Sequence, residues 1–258
     1  AGSLVTSSFF VAAVGAFYLL SNKHSRFGKI FVKSGVVFGV VASILVAFPT
    51  GDWAAKNVVK HQPATFAAME GIFETEKGGS EIVLIGQPDM ENKKLDNKIA
   101  VPNILSFLTY QRWDAEIKGL NEFDESIHPT NVPGLYYGYH IMVGLGTIFI
   151  GIMVLAAFLL WKGRLYKTKW LLWILMFMIP FPYIANTAGW YTAELGRQPW
   201  LVYNLMRMVD GVSPTVSSGN TLFTLLGFVG LYLLLGLLFL LLVLKIIRKG
   251  PEAKIALK

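Results

Sequence analysis

Residues 170–200 read WLLWILMFMIPFPYIANTAGWYTAELGRQPW. The run Trp170–Ala193 carries no charge, and about 20 apolar residues suffice to cross a bilayer. Pro180 and Pro182 lie inside it; the backbone carbonyls they free can be satisfied locally in a helical bundle. The run ends on Glu194 and Arg197, framed by Trp190, Tyr191 and Trp200. A charge at membrane depth costs at least ~2.5–3.5 kcal/mol and usually serves a function. The competing reading is a carboxylate at the interface, paired with Arg197 three residues on within an aromatic belt. Of the 16 acidic residues, thirteen lie between Asp52 and Glu125, and only Glu194 and Asp210 remain near the other apolar segments.

Working outward, the same pattern recurs. Uncharged or nearly uncharged segments cover Leu4–Leu20, Ser34–Phe48 (extended backwards through Ile30, with Lys33 able to snorkel), Gly134–Trp161 and a stretch of Gly211–Leu244 starting near Ser218. With Trp170–Trp190 these make five crossings. The fold class is all-α, a polytopic membrane helical bundle with an extramembrane loop region. It divides into 1–48 with two helices, 49–133 as the loop, and 134–258 with three helices, the Gly196–Trp200 loop and a tail. Composition agrees: 54% of the 258 residues are apolar and 15% charged, against ~25% charged in a soluble domain, and mean hydropathy is +0.52. The absence of cysteine excludes disulfides and thiolate-bound metal or iron–sulfur centres. The net charge of +7 does not indicate nucleic acid, because the basic residues gather at helix ends.

Those ends set an expected orientation. Residues 22–29, 162–169 and the tail after Leu244 carry three, four and five basic residues and one acid, Glu252. The stretch Asp52–Glu125 holds thirteen acids against eight Lys and Arg, a net −5. The positive-inside rule places the long loop and the Glu194 loop outside and the tail in the cytoplasm. The five apolar cores contain no Asp, Glu or Arg, so this chain alone has no series of groups to relay protons. A transporter would show interrupted helices in paired halves and midplane charges. The start, Ala1-Gly2-Ser3, reads as a helix entered partway, which suggests the C-terminal part of a longer protein.

Two further stretches carry candidate chemistry. Tyr139-His140-Ile141-Met142-Val143 opens the third segment. Imidazole and thioether both ligate haem iron, but residues two apart lie roughly 200° apart on a helix. His140 and Met142 therefore cannot grip one iron from both faces; one of them could, and packing is the plainer role for a membrane methionine. The second stretch is Lys60-His61-Gln62-Pro63-Ala64-Thr65-Phe66-Ala67-Ala68-Met69-Glu70-Gly71. A quinol ring needs an apolar slot and an acceptor for its hydroxyl proton, which the alanines and Glu70 could supply. The pattern alone favours an amphipathic helix on the membrane with Glu70 solvated. Beyond it, Ile82–Ile85 followed by Gly86-Gln87-Pro88-Asp89 suggests a short strand or a turn. Lys93-Lys94-Leu95-Asp96 suggests a solvated face, and Ile99–Leu108 a dip onto the membrane.

Taken together, Gly189–Trp200, Gln62-Pro63 with Ala67–Gly71, and Tyr139–Val143 resemble, in order and spacing, the large haem-bearing subunit of cytochrome bd-type quinol oxidases. The similarity covers the last five membrane helices of that family, with the shorter form of its quinol-binding loop. It implies a bacterial cell-membrane oxidoreductase that oxidises ubiquinol or menaquinol and reduces O2 to water, using a low-spin haem b, a high-spin haem b and haem d. Met142 would be an axial ligand of the low-spin haem. Glu194 would ligate a high-spin haem, with Trp190 one turn before it aiding electron transfer. Arg197 and Trp200 would contact haem propionates or edges, and His140 would sit beside a propionate. Glu70 would accept a quinol proton, with Lys60 and Gln62 in the same site. The family often has Lys at the position of Thr65 and Arg at that of His140. The implied partners are a second large membrane subunit, small single-helix subunits and the N-terminal half of the same subunit, which would hold the histidine opposite Met142. The alternative class is a non-enzymatic haem-b conduit or a transporter subunit.

Overall fold

The computed structural model describes residues 2–249. The chain forms two compact units, one up to Met208 and one from Val209 on. The first is built from helices α1 (Gly2–Leu20), α2 (Ser25–Leu45), α3 (Asp52–His61), α4 (Pro63–Glu70), α5 (Ile104–Tyr110), α6 (Val132–Trp161), α7 (Lys169–Phe177) and α8 (Pro180–Arg197). Two small antiparallel hairpins accompany them: β1 (Ile82–Asp89) with β2 (Lys94–Val101), and β3 (Trp200–Val202) with β4 (Met206–Arg207). The second unit holds α9 (Ser218–Lys249). The expected tail beyond Lys249 lies outside the described residues.

Helices α1, α2, α6 and α9 are each long and apolar enough to cross a membrane, and α7 with α8 makes a fifth candidate span. The protein is a helical membrane protein. α1 and α2 meet through a seam of small residues. A Cβ on Gly15 would fall 2.6 Å from the backbone nitrogen of Val32, and one on Gly35 would fall 2.5 Å from that of Ala12. Lipid offers helices no hydrophobic drive to associate, so such close backbone packing provides the attraction. The membrane core behind this seam joins Phe9, Val36, Phe149, Met153, Leu171 and Leu175 from four helices.

The second segment breaks where the sequence expects it: Phe48, directly before Pro49, has extended backbone (φ −132°, ψ 118°). The chain then enters α3 at Asp52. One expectation needs correction. The fourth segment is not one helix from Trp170 to Trp190 followed by a loop. It breaks between α7 and α8 with a 42° bend, and α8 runs on through Arg197, so Glu194 is helical. Pro180 explains the break: it lacks the N–H an internal turn needs and its ring would strike the preceding turn. At the first position of α8 neither fault matters.

The loop region is more ordered than its polarity suggested. Of the two expected forms, strand or turn, Ile82–Asp89 takes the strand, with Ile82 opposite Val101 and Gln87 opposite Asp96. The stretch Ile99–Leu108 forms the end of β2 and most of α5. Ser106 fastens this part to its surroundings. Its buried hydroxyl accepts from the Ser80 N–H at 2.7 Å and donates to the Ala115 carbonyl at 2.5 Å.

Candidate functional site

The site is built around α4. Pro63 opens this helix, where a proline costs nothing, and every residue from Ala64 to Glu70 is buried. Ala64, Ala67 and Ala68 pack with Val132 and Leu135 of α6 and Leu195 of α8. The Thr65 hydroxyl donates to the Gly196 carbonyl at 2.8 Å, within buried surroundings. Gly71 ends the helix at φ +72°, and a Cβ there would also lie 2.8 Å from the Tyr136 ring. Both the backbone and the space therefore call for glycine. Beyond it, Leu120 N–H donates to Ile72 O at 2.8 Å and Asn121 N–H to Phe73 O at 3.0 Å, which closes the far side of α4.

Glu70 is 2% exposed. The Tyr139 hydroxyl of α6 donates to its Oε1 at 2.5 Å. Burial pushes the Glu70 carboxyl up to about 7, with the Tyr139 hydrogen bond pulling the other way. A carboxyl in that range takes and gives a proton near neutral pH. The solvated, amphipathic reading of this stretch is thus wrong: α4 is covered on all sides because its alanines let α6 and α8 approach. Lys60 is exposed on the last turn of α3. Gln62 is half-buried at the joint between α3 and α4, where its N–H donates to Val58 O at 2.7 Å and its carbonyl accepts from Phe66 N–H at 3.0 Å. Among the described residues, neither side chain bonds Glu70.

α6 starts with the Asn131 side chain accepting from Gly134 N–H at 2.9 Å, an N-cap that fixes which residues face α8. Met142 and His140 point to different neighbours, as their spacing requires. A Cβ on Gly189 of α8 would fall 2.6 Å from the Met142 sulfur. His140 instead places Nδ1 2.9 Å from the Tyr136 carbonyl and Nε2 3.1 Å from the Val83 carbonyl of β1. It ties the hairpin to α6.

On α8, Trp190, Glu194 and Arg197 share one stripe at successive turns. Trp190 is 63% exposed, and Glu194 and Arg197 form an ion pair with both side chains half-exposed. Trp200 begins β3; its indole N–H is buried without an acceptor among the described residues, and the Arg207 guanidinium lies 5.3 Å from its ring. These donors suit haem: a half-buried thioether over bare glycine backbone, a reachable carboxylate beside an exposed indole, and an unpartnered indole N–H. No cluster of three or more His, Cys, Asp or Glu fit for a metal ion occurs among the described residues.

Sequence reasoning missed Tyr139 as the partner of Glu70. Tyr139 lies one turn after Leu135 on the α6 face that meets the α4 alanines, and a polar tip on that apolar face was the available signal. A cleft of about 270 Å³ opens just beyond Gly71, between Ile72–Glu76 and the hairpin residues Val83, Leu95 and Lys98. Charged side chains line much of it, so it is a polar vestibule and not an apolar ring slot.

The chain matches the family described as cytochrome bd terminal oxidase subunit I over residues 1–251. It is 35% identical, over 97% of its length, to "Cytochrome bd ubiquinol oxidase subunit 1" of Bacillus subtilis (strain 168), and covers 55% of that protein. It is 24% identical to "Cytochrome bd-II ubiquinol oxidase subunit 1" of Escherichia coli (strain K12), with 96% of the chain and 60% of that protein covered. The solved bd oxidase of Geobacillus thermodenitrificans is similar with a TM-score of 0.79 and 27% identity, over 97% of this chain and 56% of that one. The chain thus spans a little over half the length of these relatives.

Proposed function

Because this chain belongs to the cytochrome bd terminal oxidase subunit I family, we propose that it forms part of a respiratory quinol oxidase of the bacterial cell membrane. Membership in this family implies haem. In this reading the haems are three: a low-spin haem b held by Met142, and a high-spin haem b and haem d near Glu194. Bound there, the haems would carry electrons from quinol to O2. Each quinol releases two electrons and two protons in becoming quinone, and four of each turn one O2 into two waters.

The protein's own residues would act as follows. Glu70 takes a proton from a quinol hydroxyl at the outer face, with Lys60 and Gln62 at the rim. Met142 and Glu194 would hold the haem irons, and Trp190, one turn before Glu194, would aid electron transfer. Arg197 and Trp200 offer donors for propionates, and His140 fixes the hairpin over α6. Residues 1–48 and 134–258 form the spanning parts, and 49–133 the quinol-binding loop outside, with the C-terminus in the cytoplasm. A second large membrane subunit, small single-helix subunits and the N-terminal half of the subunit complete the complex. Protons for water come from the cytoplasm through those other parts, so a gradient builds without pumping.

One observation carries this reading. α4 holds the buried Glu70 and is hydrogen-bonded both to α6, which bears Met142, and to α8, which bears Glu194. Absorbance spectra of the assembled complex, reduced and then exposed to carbon monoxide, test it. Low-spin and CO-binding high-spin haem signals are expected. A low-spin signal alone would indicate an electron conduit, and a colourless complex would end the proposal.

A further inference from the structure

We propose that Tyr139 is a positioning residue for quinol oxidation: its phenol holds the Glu70 carboxyl in place to receive the quinol proton. This rests on the reading of Glu70 as proton acceptor and adds a second residue, from a different helix, to that site.

A carboxylate buried at 2% exposure needs donors or a cation to remain ionised. Helices α3, α6 and α8 and residues 120–122 pack on α4. α3 carries Lys56 on Asp52 and the exposed Lys60 and His61. α8 carries Glu194 and Arg197, bonded to each other. Glu122 accepts from Thr75 at 3.4 Å. On α6, His140 faces two carbonyls, and the Tyr136 hydroxyl is buried without a partner among the described residues. Among the described residues, Tyr139 alone bonds the Glu70 side chain.

A phenol suits both states of the acceptor. It donates to the carboxylate before transfer and can accept from the carboxylic acid afterwards. The quinol O–H breaks, the proton bonds to a Glu70 oxygen, and Tyr139 keeps its own proton throughout. Tyr139 also precedes Met142 by three residues, about 4.5 Å along the helix axis. The hydrogen bond therefore fixes the proton acceptor to the helix that bears the thioether.

The test compares Tyr139→Phe with Glu70→Gln in the purified oxidase complex, reading quinol-dependent O2 uptake against pH and the haem spectrum. Tyr139→Phe removes the bond that favours the charged form. The acid limb of kcat/KM should move up by about one pH unit, with activity recovering at alkaline pH. A general packing defect would not recover. Glu70→Gln should lose quinol oxidation at every pH with haem retained. If Glu70→Gln oxidises quinol normally, the reading of Glu70 falls and this inference with it. If Glu70→Gln is inactive but Tyr139→Phe keeps the wild-type pH profile, only the role of Tyr139 is overturned. Should Tyr139→Phe fail to assemble, the carboxyl stretch of Glu70 in infrared difference spectra of the wild-type complex decides. A band at the free-carboxyl position refutes the proposal, and one lowered by hydrogen bonding supports it.

Discussion

The Thr65 hydroxyl donates to the backbone carbonyl of Gly196 across 131 residues of sequence, joining α4 to the last turn of α8. The last carbonyls of a helix have no partner within it, so this bond satisfies one that is buried. The methyl of Thr65 lies against the same glycine, where a Cβ would come within 2.8 Å. Thr65→Val keeps the shape and strips the donor. It should destabilise the docking of α4 by about 1–3 kcal/mol, the usual penalty for a buried group left unpaired. Limited proteolysis of the complex should then cut within residues 63–70 more readily, while Thr65→Ser stays close to wild type. Equal protection in both variants would show that the bond does not hold α4.

Glu70 separates stability from activity. Its carboxyl is raised from 4.5 to about 7 by burial, so between those values the folded protein binds a proton that the unfolded chain has released. Its contribution to stability is therefore fully present below about pH 4.5 and lost as pH rises through 7. The loss is on the order of 3 kcal/mol for a shift of this size. Glu70→Gln, which carries no charge, should remove that part of the pH dependence. Melting profiles of the two complexes at pH 5 and pH 8 should show a smaller drop for the variant, although the variant oxidises no quinol. An equal drop would mean that other groups set the trend.

The sequence made the bundle legible because a spanning helix announces itself in composition alone. Leu4–Leu20 and Gly134–Trp161 fall within α1 and α6. It misled where one residue has two roles. Pro180 reads as a tolerated kink but is the first residue of α8, which draws Glu194 into a helix. Glu70 is ambiguous because the same alanines that could rest on lipid can equally admit α6 and α8. Its burial depends on Val132, Leu135 and Leu195, which lie more than sixty residues away and which no local pattern connects to it. The Tyr139–Glu70 bond was hidden for the same reason.

Met142 should be replaceable for packing but not for iron. Leucine has nearly the same volume, and such swaps usually cost under ~1.5 kcal/mol. Met142→Leu should assemble and melt near wild type while losing the low-spin haem b signal from reduced-minus-oxidised spectra. Gly189→Ala gives an independent check, because its new Cβ would fall 2.6 Å from the sulfur. The thioether must then shift, so the low-spin band should move or broaden. Unaltered low-spin spectra in both variants would place that haem elsewhere.

Glu194 offers the sharpest contrast between a structural and a functional account. Its pairing with Arg197 is half-exposed on both sides, and such pairs contribute ~0–1 kcal/mol. As a structural pair alone it should be nearly dispensable, and Glu194→Gln should leave every haem in place. As an iron ligand it should not be, because an amide cannot replace the anionic donor. We expect Glu194→Gln to lose a high-spin haem signal and O2 reduction while keeping the low-spin band and a melting temperature within a few degrees of wild type. Arg197→Gln supplies the control, since it breaks the same ion pair but leaves the carboxylate. If the two variants behave alike, the ion pair and not the carboxylate is what matters at this end of α8.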